Sequence, residues 1–371
     1  MMTKACRVKC NGKEEQMMKQ SNVNISAFLA AGLLISACTM DKFGQAEDHR
    51  DTRSGLLTVN VESEMESRAV EHYLDVKDYE KAIKTLRVLV FDNLGNLVEN
   101  RDCGTTSTGQ AFELPYGTYK VYAVANGPDL SSVTSESGLL AVSTDFKNNS
   151  KTAGFIMVGN SSVNLNSASN TANIAISRLL ARVSLVSISN MLPESYSSIT
   201  IENVFLANVV GNCNLAGAKS GSLWYNKEGR KDESPRVESH IIDGSSYLAS
   251  VPELTFSSQG LSLACSSSTD FSASPVLLYA YPNSASASPS GFHSTFTDQK
   301  TALVVCVTVA GQKYYYPIVL DSVQANRNYT VALTFKALGT TDPGNEIKKG
   351  SLTANITVNG WGEGSIYNET I

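Results

Sequence analysis

Hydrophobic and polar residues alternate along short segments of the chain. In residues 57–65 (LTVNVESEM), Leu57, Val59, Val61 and Met65 fall on one face and the intervening polar residues on the other. A period of two is typical of a β-strand with one buried face. Comparable patterns recur at residues 85–91, 117–126, 162–165, 199–208, 275–281, 303–309, 314–320, 328–335 and 352–358. This repetition predicts an all-β protein built from antiparallel β-sandwiches.

The length of the chain, 371 residues, is too great for one ordinary domain and fits two sandwiches of common size. A long alternating run begins at residue 174, so we place the first domain at residues 54–173 and the second at residues 174–371. Residues 213–271 are polar and irregular, which predicts surface loops. Helical patterns are sparse, and the best are residues 76–83 and part of residues 128–140.

The amino-terminal region has the features of an export signal. Residues 25–37 (ISAFLAAGLLISA) form an apolar run that is short for a membrane span, ends in small residues and is followed by Cys38. Residues 35–38 (ISAC) resemble a bacterial lipobox, in which the cysteine thiol is acylated and becomes the first mature residue. An ordinary secretory signal with an incidental cysteine is the alternative. We predict lipidation at Cys38.

These assignments divide the first 53 residues. Residues 1–37 are the predicted signal peptide, although residues 1–16 are charged and unlike the start of such a signal. Met17 or Met18, followed by a lysine, is a more normal starting residue. The polar residues 38–53 are predicted to form a lipidated tether.

Charge and motif content argue against several function classes. The chain has 30 basic and 35 acidic residues and no basic cluster, which disfavours a nucleic-acid partner. It contains no GxSxG elbow, phosphate-binding loop or HExxH motif, and its four histidines are far apart. The acidic pairs Glu62/Glu64 and Asp78/Glu80 are interpreted as solvated surface charges. We therefore predict a protein that is not an enzyme and needs no cofactor or metal.

Aromatic and cysteine residues leave two questions open. Residues 314–316 (YYY) and 224–225 (WY) are interpreted mainly as packing residues, but aromatic rings also stack on sugars. A lipid-anchored surface protein that binds glycans is therefore the alternative function. Cys306 lies in an apolar run and is predicted to be a core residue. A disulfide between Cys213 and Cys265 is conceivable in an exported chain.

Several segments together resemble a known family. They are the lipobox at Cys38, residues 86–92 (LRVLVFD) with a turn at Gly95, and residues 117–126 (GTYKVYAVAN), 177–183 (SRLLARV), 279–283 (YAYPN) and 356–361 (ITVNGW). Their order resembles the fimbrillin subunits of Bacteroidales type V pili. The resemblance implies two tandem transthyretin-like β-sandwich domains, export as an outer-membrane lipoprotein and assembly into a cell-surface fimbrium that supports adhesion.

The resemblance also implies maturation by an Arg-specific protease. The cut is expected between Arg68 and Ala69, which removes a first strand at residues 54–68. Arg50 and Arg53 are alternatives, but cleavage there leaves the strand attached.

Removal of a strand exposes apolar side chains and unpaired backbone groups, and a strand from a neighbouring subunit can replace it. Residues 351–359 are the predicted donor strand, with Leu352, Ala354, Ile356 and Val358 on one face and a hinge in residues 337–350. The alternative is that both strands only complete their own domains. The resemblance favours a shaft subunit over an anchor or tip subunit, with copies of itself, related fimbrial subunits and host or bacterial surface ligands as partners.

Overall fold

The computed structural model describes residues 53–63, 76–228, 240–241, 251–287, 298–342, 350–361 and 368–370. Residues 50–371 cluster as one compact unit. The predictions for the signal peptide, the lipidation site Cys38 and most of the tether lie outside the described residues. So do those for Met65, Arg68 and Ala69.

The amino-terminal half of the described chain contains eight strands, two short α-helices and one 3-10 turn (Phe146–Asn148). They are β1 (Ser54–Ser63), α1 (Asp78–Lys81), β2 (Leu86–Phe91), β3 (Leu97–Gly104), β4 (Gln110–Pro115), β5 (Gly117–Ala125), α2 (Glu136–Ala141), β6 (Ser143–Asp145), β7 (Met157–Leu165) and β8 (Ser169–Arg178).

The remaining described residues contain strands alone, apart from one short 3-10 turn. They are β9 (Ala181–Asn190), β10 (Ser198–Ala207), β11 (Val209–Val210), β12 (Asn212–Asn214), β13 (Trp224–Tyr225), β14 (Lys227–Glu228), β15 (His240–Ile241), β16 (Thr255–Ala264), β17 (Ser267–Asp270), β18 (Val276–Ala280), β19 (Ala302–Val309), β20 (Gln312–Val319), β21 (Arg327–Phe335), β22 (Leu352–Gly360) and β23 (Asn368–Thr370).

Seven strands of the first half form one sheet in the order β3-β2-β5-β7-β8-β1-β4. The sheet bends between β7 and β8, which pair only through Met157 with Arg178 and Val158 with Ser177. Gly159 permits this close crossing, because a Cβ atom there would lie 2.1 Å from the carbonyl oxygen of Ala175. Apolar side chains from both arms of the bent sheet pack in one core. The arms therefore act as the two layers of a sandwich.

The second half has two main sheets. One has the strand order β16-β10-β19-β20, and the other has the order β17-β9-β21-β22-β23, with β18 also paired to β9. Alternate side chains such as Ile199, Val305, Val183 and Val331 are fully buried in one core between these sheets. This core extends to α1 and to residues of β2 and β5, so apolar packing continues from one half of the unit to the other.

The structure confirms the predicted fold class, because strands dominate the described residues and helices are few and short. The two helices fall in the segments that the sequence indicated. Most strand pairs are antiparallel, but β1 pairs in parallel with β8, β9 with β21 and β14 with β15. The predicted domain boundary at residue 174 falls within β8, which is part of the first sheet. The transthyretin-like description stays a prediction.

The prediction of surface loops throughout residues 213–271 is wrong for part of this segment. β16 forms an antiparallel ladder with β10, and Leu215, Trp224 and Leu254 are buried in the main core. Isolated apolar residues in a polar sequence have no periodicity, so the pattern did not reveal their burial.

Candidate functional site

The strand β1, which the sequence singled out for removal, lies inside its sheet and not at an edge. It pairs in parallel with β8 over eight residue pairs, from Leu56 with Ser169 to Ser63 with Ile176. On its other side it pairs antiparallel with β4 over six. Both backbone edges of β1 are therefore hydrogen-bonded, and its departure would leave a gap one strand wide.

The inward side chains of β1 follow the predicted alternation. Leu57 and Val59 are 0% exposed and Val61 is 1% exposed, whereas the intervening residues are half-buried or exposed. Gly55 lies close to the loop before β8, since a Cβ atom there would be 2.4 Å from the carbonyl oxygen of Ser167. β1 thus fills its position closely on the core side and at its amino end.

The β4 wall of this position is held by contacts that do not involve β1. On the β4 side, the Arg101 side chain of β3 donates a hydrogen bond to the carbonyl oxygen of Ala111 (2.6 Å) and lies 4.0 Å from the centre of the Phe112 ring. The Tyr119 hydroxyl donates to the carbonyl oxygen of Pro115 (2.8 Å) at the turn into β5. β4 therefore keeps anchors of its own beside the gap.

The predicted donor residues lie in β22, which belongs to the second half of the unit. β22 pairs with β21 over nine residue pairs and with β23 over three among the described residues. Ala354 and Ile356 are buried, at 1% and 4% exposed, whereas Leu352 and Val358 are half-buried. The strand has the predicted alternation at its centre, and in the monomer it completes its own sheet.

A buried ion pair lies close to the carboxyl end of β22. The Glu80 carboxylate of α1 accepts a hydrogen bond from Arg182 Nη1 (2.9 Å), and both side chains are 0% exposed. The same carboxylate accepts bonds from the Tyr279 hydroxyl (2.7 Å) and from the backbone N–H of Lys77 (2.7 Å). Such saturation by donors is what a buried carboxylate requires.

Trp361, the residue after β22, covers this ion pair. Its indole ring stacks on Tyr279, with the ring centres 5.9 Å apart and the planes inclined by 19°. The guanidinium groups of Arg178 and Arg182 lie 5.0 and 5.4 Å from the centre of the indole ring. Burial and the neighbouring Glu80 carboxylate hold the pKa of Tyr279 far above its usual range, so its hydroxyl stays a donor.

The interpretation of Glu80 as a solvated surface charge is wrong. Its neighbour Asp78 is exposed as expected, but Glu80 points into the core to meet Arg182, 102 residues later in the chain. A sequence signal for the partner did exist. Arg182 stands in the otherwise apolar run of residues 179–183, where a lone charge requires a partner if the run is buried.

The aromatic residues considered for sugar stacking are mostly inaccessible. Trp224, Tyr225, Tyr315 and Tyr316 are each at most 3% exposed, and only Tyr314 is half-buried. Tyr316 stacks on Phe335, with the ring centres 3.9 Å apart. These rings pack the core, which leaves the alternative glycan-binding function without the residues that suggested it.

The cysteines of the described residues are unpaired, including Cys213 and Cys265. Cys306 is fully buried in β19, as its apolar surroundings predicted. Burial raises the pKa of the Cys213 thiol to about 12 and that of the Cys306 thiol to about 11, so both thiols are protonated and unreactive at neutral pH.

Within the described ranges, no three His, Cys, Asp or Glu side chains come together as a set that could hold a metal ion. A search of the same ranges for a helix long and apolar enough to cross a membrane finds none.

Comparison with known proteins gives a family and a set of similar structures. Residues 57–212 match the family described as major fimbrial subunit protein (FimA). No curated protein sequence matches the chain.

Among solved structures, a candidate cell adhesion protein of Parabacteroides distasonis aligns with a TM-score of 0.57 and 16% identity, over 84% of this chain and 98% of that one. A second candidate cell adhesion protein of the same species aligns with a TM-score of 0.54 and 16% identity, over 83% of this chain and 99% of that one. A fimbrilin of Porphyromonas gingivalis W83 aligns with a TM-score of 0.55 and 14% identity, over 82% and 97%.

At these identities the solved structures show the fold alone, and the family match covers residues 57–212. That segment begins at Leu57 in β1 and runs through the whole first sheet into β12. Residues 57–212 therefore match the family of major fimbrial subunits, and the chain has a fold similar to that of a fimbrilin.

Proposed function

We propose that this protein is a shaft subunit of a cell-surface pilus and that it polymerises by strand exchange. In this proposal a protease removes β1, and β22 of a neighbouring subunit enters the vacated position between β8 and β4. The observation that carries the proposal is the central place of β1. A strand with ladders on both sides and a fully buried apolar face leaves an apolar groove with two unpaired edges when it departs.

Burial of the apolar side chains of the donor strand supplies the free energy that favours strand exchange. Leu57, Val59 and Val61 are the buried aliphatic residues of β1, and Leu352, Ile356 and Val358 are the large aliphatic residues of the donor face. Burying three such side chains contributes on the order of 5–9 kcal/mol before backbone pairing is counted. A polymer held in this way resists dissociation.

The two half-buried aliphatic residues of β22 favour its donor role. Leu352 and Val358 are only partly covered in the monomer, so they gain burial when the strand moves into a closed groove. The nine residue pairs with β21 oppose the move. Exchange therefore requires release of β22 from its own sheet, and pairing with β8 and β4 of the neighbour offsets the loss.

Export and maturation complete the proposal. Lipidation at Cys38 holds the precursor at the outer membrane, and an Arg-specific protease cuts between Arg68 and Ala69. The lipid and β1 lie on the same side of this cut, so cleavage also frees the mature subunit from its anchor. The mature subunit then joins copies of itself and related fimbrial subunits in a pilus that supports adhesion.

The test of maturation is Arg68→Ala in the full-length chain, with Arg53→Ala as the matched control. The Arg68→Ala protein should remain longer, monomeric and membrane-held, whereas the Arg53→Ala protein should mature and assemble. Immunoblots of membrane and surface-sheared fractions measure both. Normal pili from the Arg68→Ala protein, with residues 54–68 still attached, would contradict the proposed strand removal.

The test of lipidation is metabolic labelling with a fatty-acid analogue. The precursor should be labelled and a Cys38→Ala variant should not. Equal labelling of the two proteins would exclude Cys38 as the lipidation site.

A further inference from the structure

The residue that ends β22 is bound into the buried ion pair described above. Trp361 follows Gly360, the last residue of the strand, and is 3% exposed. Its backbone N–H donates to the carbonyl oxygen of Asn326 (3.1 Å), and its Nε1–H donates to a Glu80 oxygen (3.4 Å). We call Glu80, Arg178, Arg182, Tyr279 and Trp361 the latch.

The latch gathers residues from four separate parts of the chain. Glu80 comes from α1, the two arginines from the end of β8 and the start of β9, and Tyr279 from β18. Arg178 Nε donates to the carbonyl oxygen of Glu80 (2.8 Å), so α1 is bound through its backbone as well as its side chain. Trp361 is the one member that belongs to the carboxyl-terminal segment.

We propose that the latch holds the carboxyl end of β22 in the folded subunit and opposes release of this strand to a neighbour. The inference rests on the proposed donor role of β22. Because Trp361 follows the strand directly, β22 cannot leave β21 along its whole length without withdrawing the indole ring. Withdrawal removes a hydrogen-bond donor from Glu80 and a stacked ring from Tyr279. It also exposes the Glu80–Arg182 ion pair, which is fully buried in the folded subunit, to solvent.

The position of the latch suits this role. Gly350 and Ser351 join β22 to the chain before it, so the end that carries Trp361 lies farthest from that connection when the strand leaves its sheet. A contact at that end opposes the motion most strongly. The latch also survives maturation, because Glu80 follows the predicted cut at Arg68 and all its other members lie later in the chain.

Two conservative variants of the purified full-length precursor test the latch. Glu80→Gln removes the charge and keeps the size, and Trp361→Phe removes the N–H and part of the ring. Tyr281→Phe is the matched control, because this buried hydroxyl bonds to Thr144 (2.7 Å) and Asn149 (3.3 Å), outside the latch. Hydrogen–deuterium exchange of peptides that cover β22 is the first measurement, and the rate of SDS-resistant ladder formation after Arg-specific cleavage is the second.

In both latch variants the β22 amides should exchange hydrogen about tenfold faster than in the native chain. The exchange rates of β8 should be unchanged, and the β22 rates of the control should lie within about twofold of the native rates. The ladders of both latch variants should also form faster than those of the native subunit, and those of the control at the native rate. Trp361→Phe serves as the deciding variant if Glu80→Gln fails to fold. Unchanged β22 exchange in a folded latch variant, or an equal increase in the control, would overturn the inference.

The donor role itself is tested separately by deleting residues 351–371. If that shortened subunit still forms ladders after cleavage, the proposed donor role of β22 is wrong, regardless of the rates of hydrogen–deuterium exchange. If it forms none while the latch variants assemble at the native rate, the strand is the donor and the latch does not oppose its release.

Discussion

The strands β1 and β22 have nearly the same alternation in sequence but are held in different ways. β1 lies between two partners and buries Leu57, Val59 and Val61 almost completely. β22 has one long partner, and only Ala354 and Ile356 of its inward face are buried. β1 is fixed along its length by its side chains, whereas β22 is also fixed at its end, through Trp361.

This difference corresponds to the two roles that we propose. A strand fixed along its length can be replaced only by another strand that fills the same groove, which suits a segment removed once during maturation. A strand with one long partner, held at its end by Trp361, leaves its sheet more readily once that end is freed, which suits a donor. Four experiments test this contrast, beginning with the largest expected effect.

Val59→Asp should lower the free energy of unfolding of the precursor by about 5 kcal/mol, because it removes a buried aliphatic group and places a charge in the core. Thr58→Asp, on the half-buried opposite face, should cost less than about 1 kcal/mol. Denaturant unfolding of the two precursors measures the difference. Polymers that do form should have native stability, since the altered strand is absent from them; a less stable Val59→Asp polymer would contradict removal of β1.

Arg182→Met should lower the free energy of unfolding by about 3–5 kcal/mol, because it leaves the Glu80 carboxylate buried without its cation. The double variant Glu80→Gln/Arg182→Met should recover part of that loss, because neither charge remains and the amide oxygen can still accept a bond from the Tyr279 hydroxyl. Thermal or denaturant unfolding of the three proteins measures the coupling. A loss below about 1 kcal/mol in the single variant would show that the pair does not anchor this region.

Ile356→Asp should abolish SDS-resistant ladders, because it places a charge on the donor face. Thr357→Asp, which is half-buried on the opposite face of β22, should assemble nearly as well as the native subunit. Electrophoresis without boiling compares the two. Equal ladders from both variants would exclude β22 as the donor strand.

Val358→Thr should have the smallest effect on the monomer, about 0.5 kcal/mol, because Val358 is only half-buried there. In the polymer the same residue is expected to be fully covered, so the loss per subunit should rise to about 1–2 kcal/mol. Unfolding of the monomer and heat dissociation of the ladders give the two values. Equal losses would mean that Val358 gains no burial on assembly.

The sequence predicted which face of a strand is buried better than it predicted which strands pair. The alternation of Leu57, Val59 and Val61 was sufficient to place them in a core, because a strand with one buried face must follow a period of two. It carried no information about the neighbour, and the parallel pairing of β1 with β8 joins residues far apart in the chain, such as Asn60 with Asn173.

The latch was missed for a related reason. Glu80 stands among polar and charged residues in α1, and its local sequence is that of a solvated helix. Its burial depends on Arg182 and Tyr279, which only the fold brings to it. Local pattern cannot predict a buried charge whose partners lie elsewhere in the chain.

The most direct test of strand removal is intact-mass spectrometry of subunits from surface-sheared pili, with sequencing of their amino termini. Our account predicts subunits that begin at Ala69 and contain none of β1, together with an intact carboxyl terminus that includes β22. Mature subunits that retain Leu57, Val59 and Val61 would contradict it, because the groove between β8 and β4 would then remain filled by the subunit's own strand.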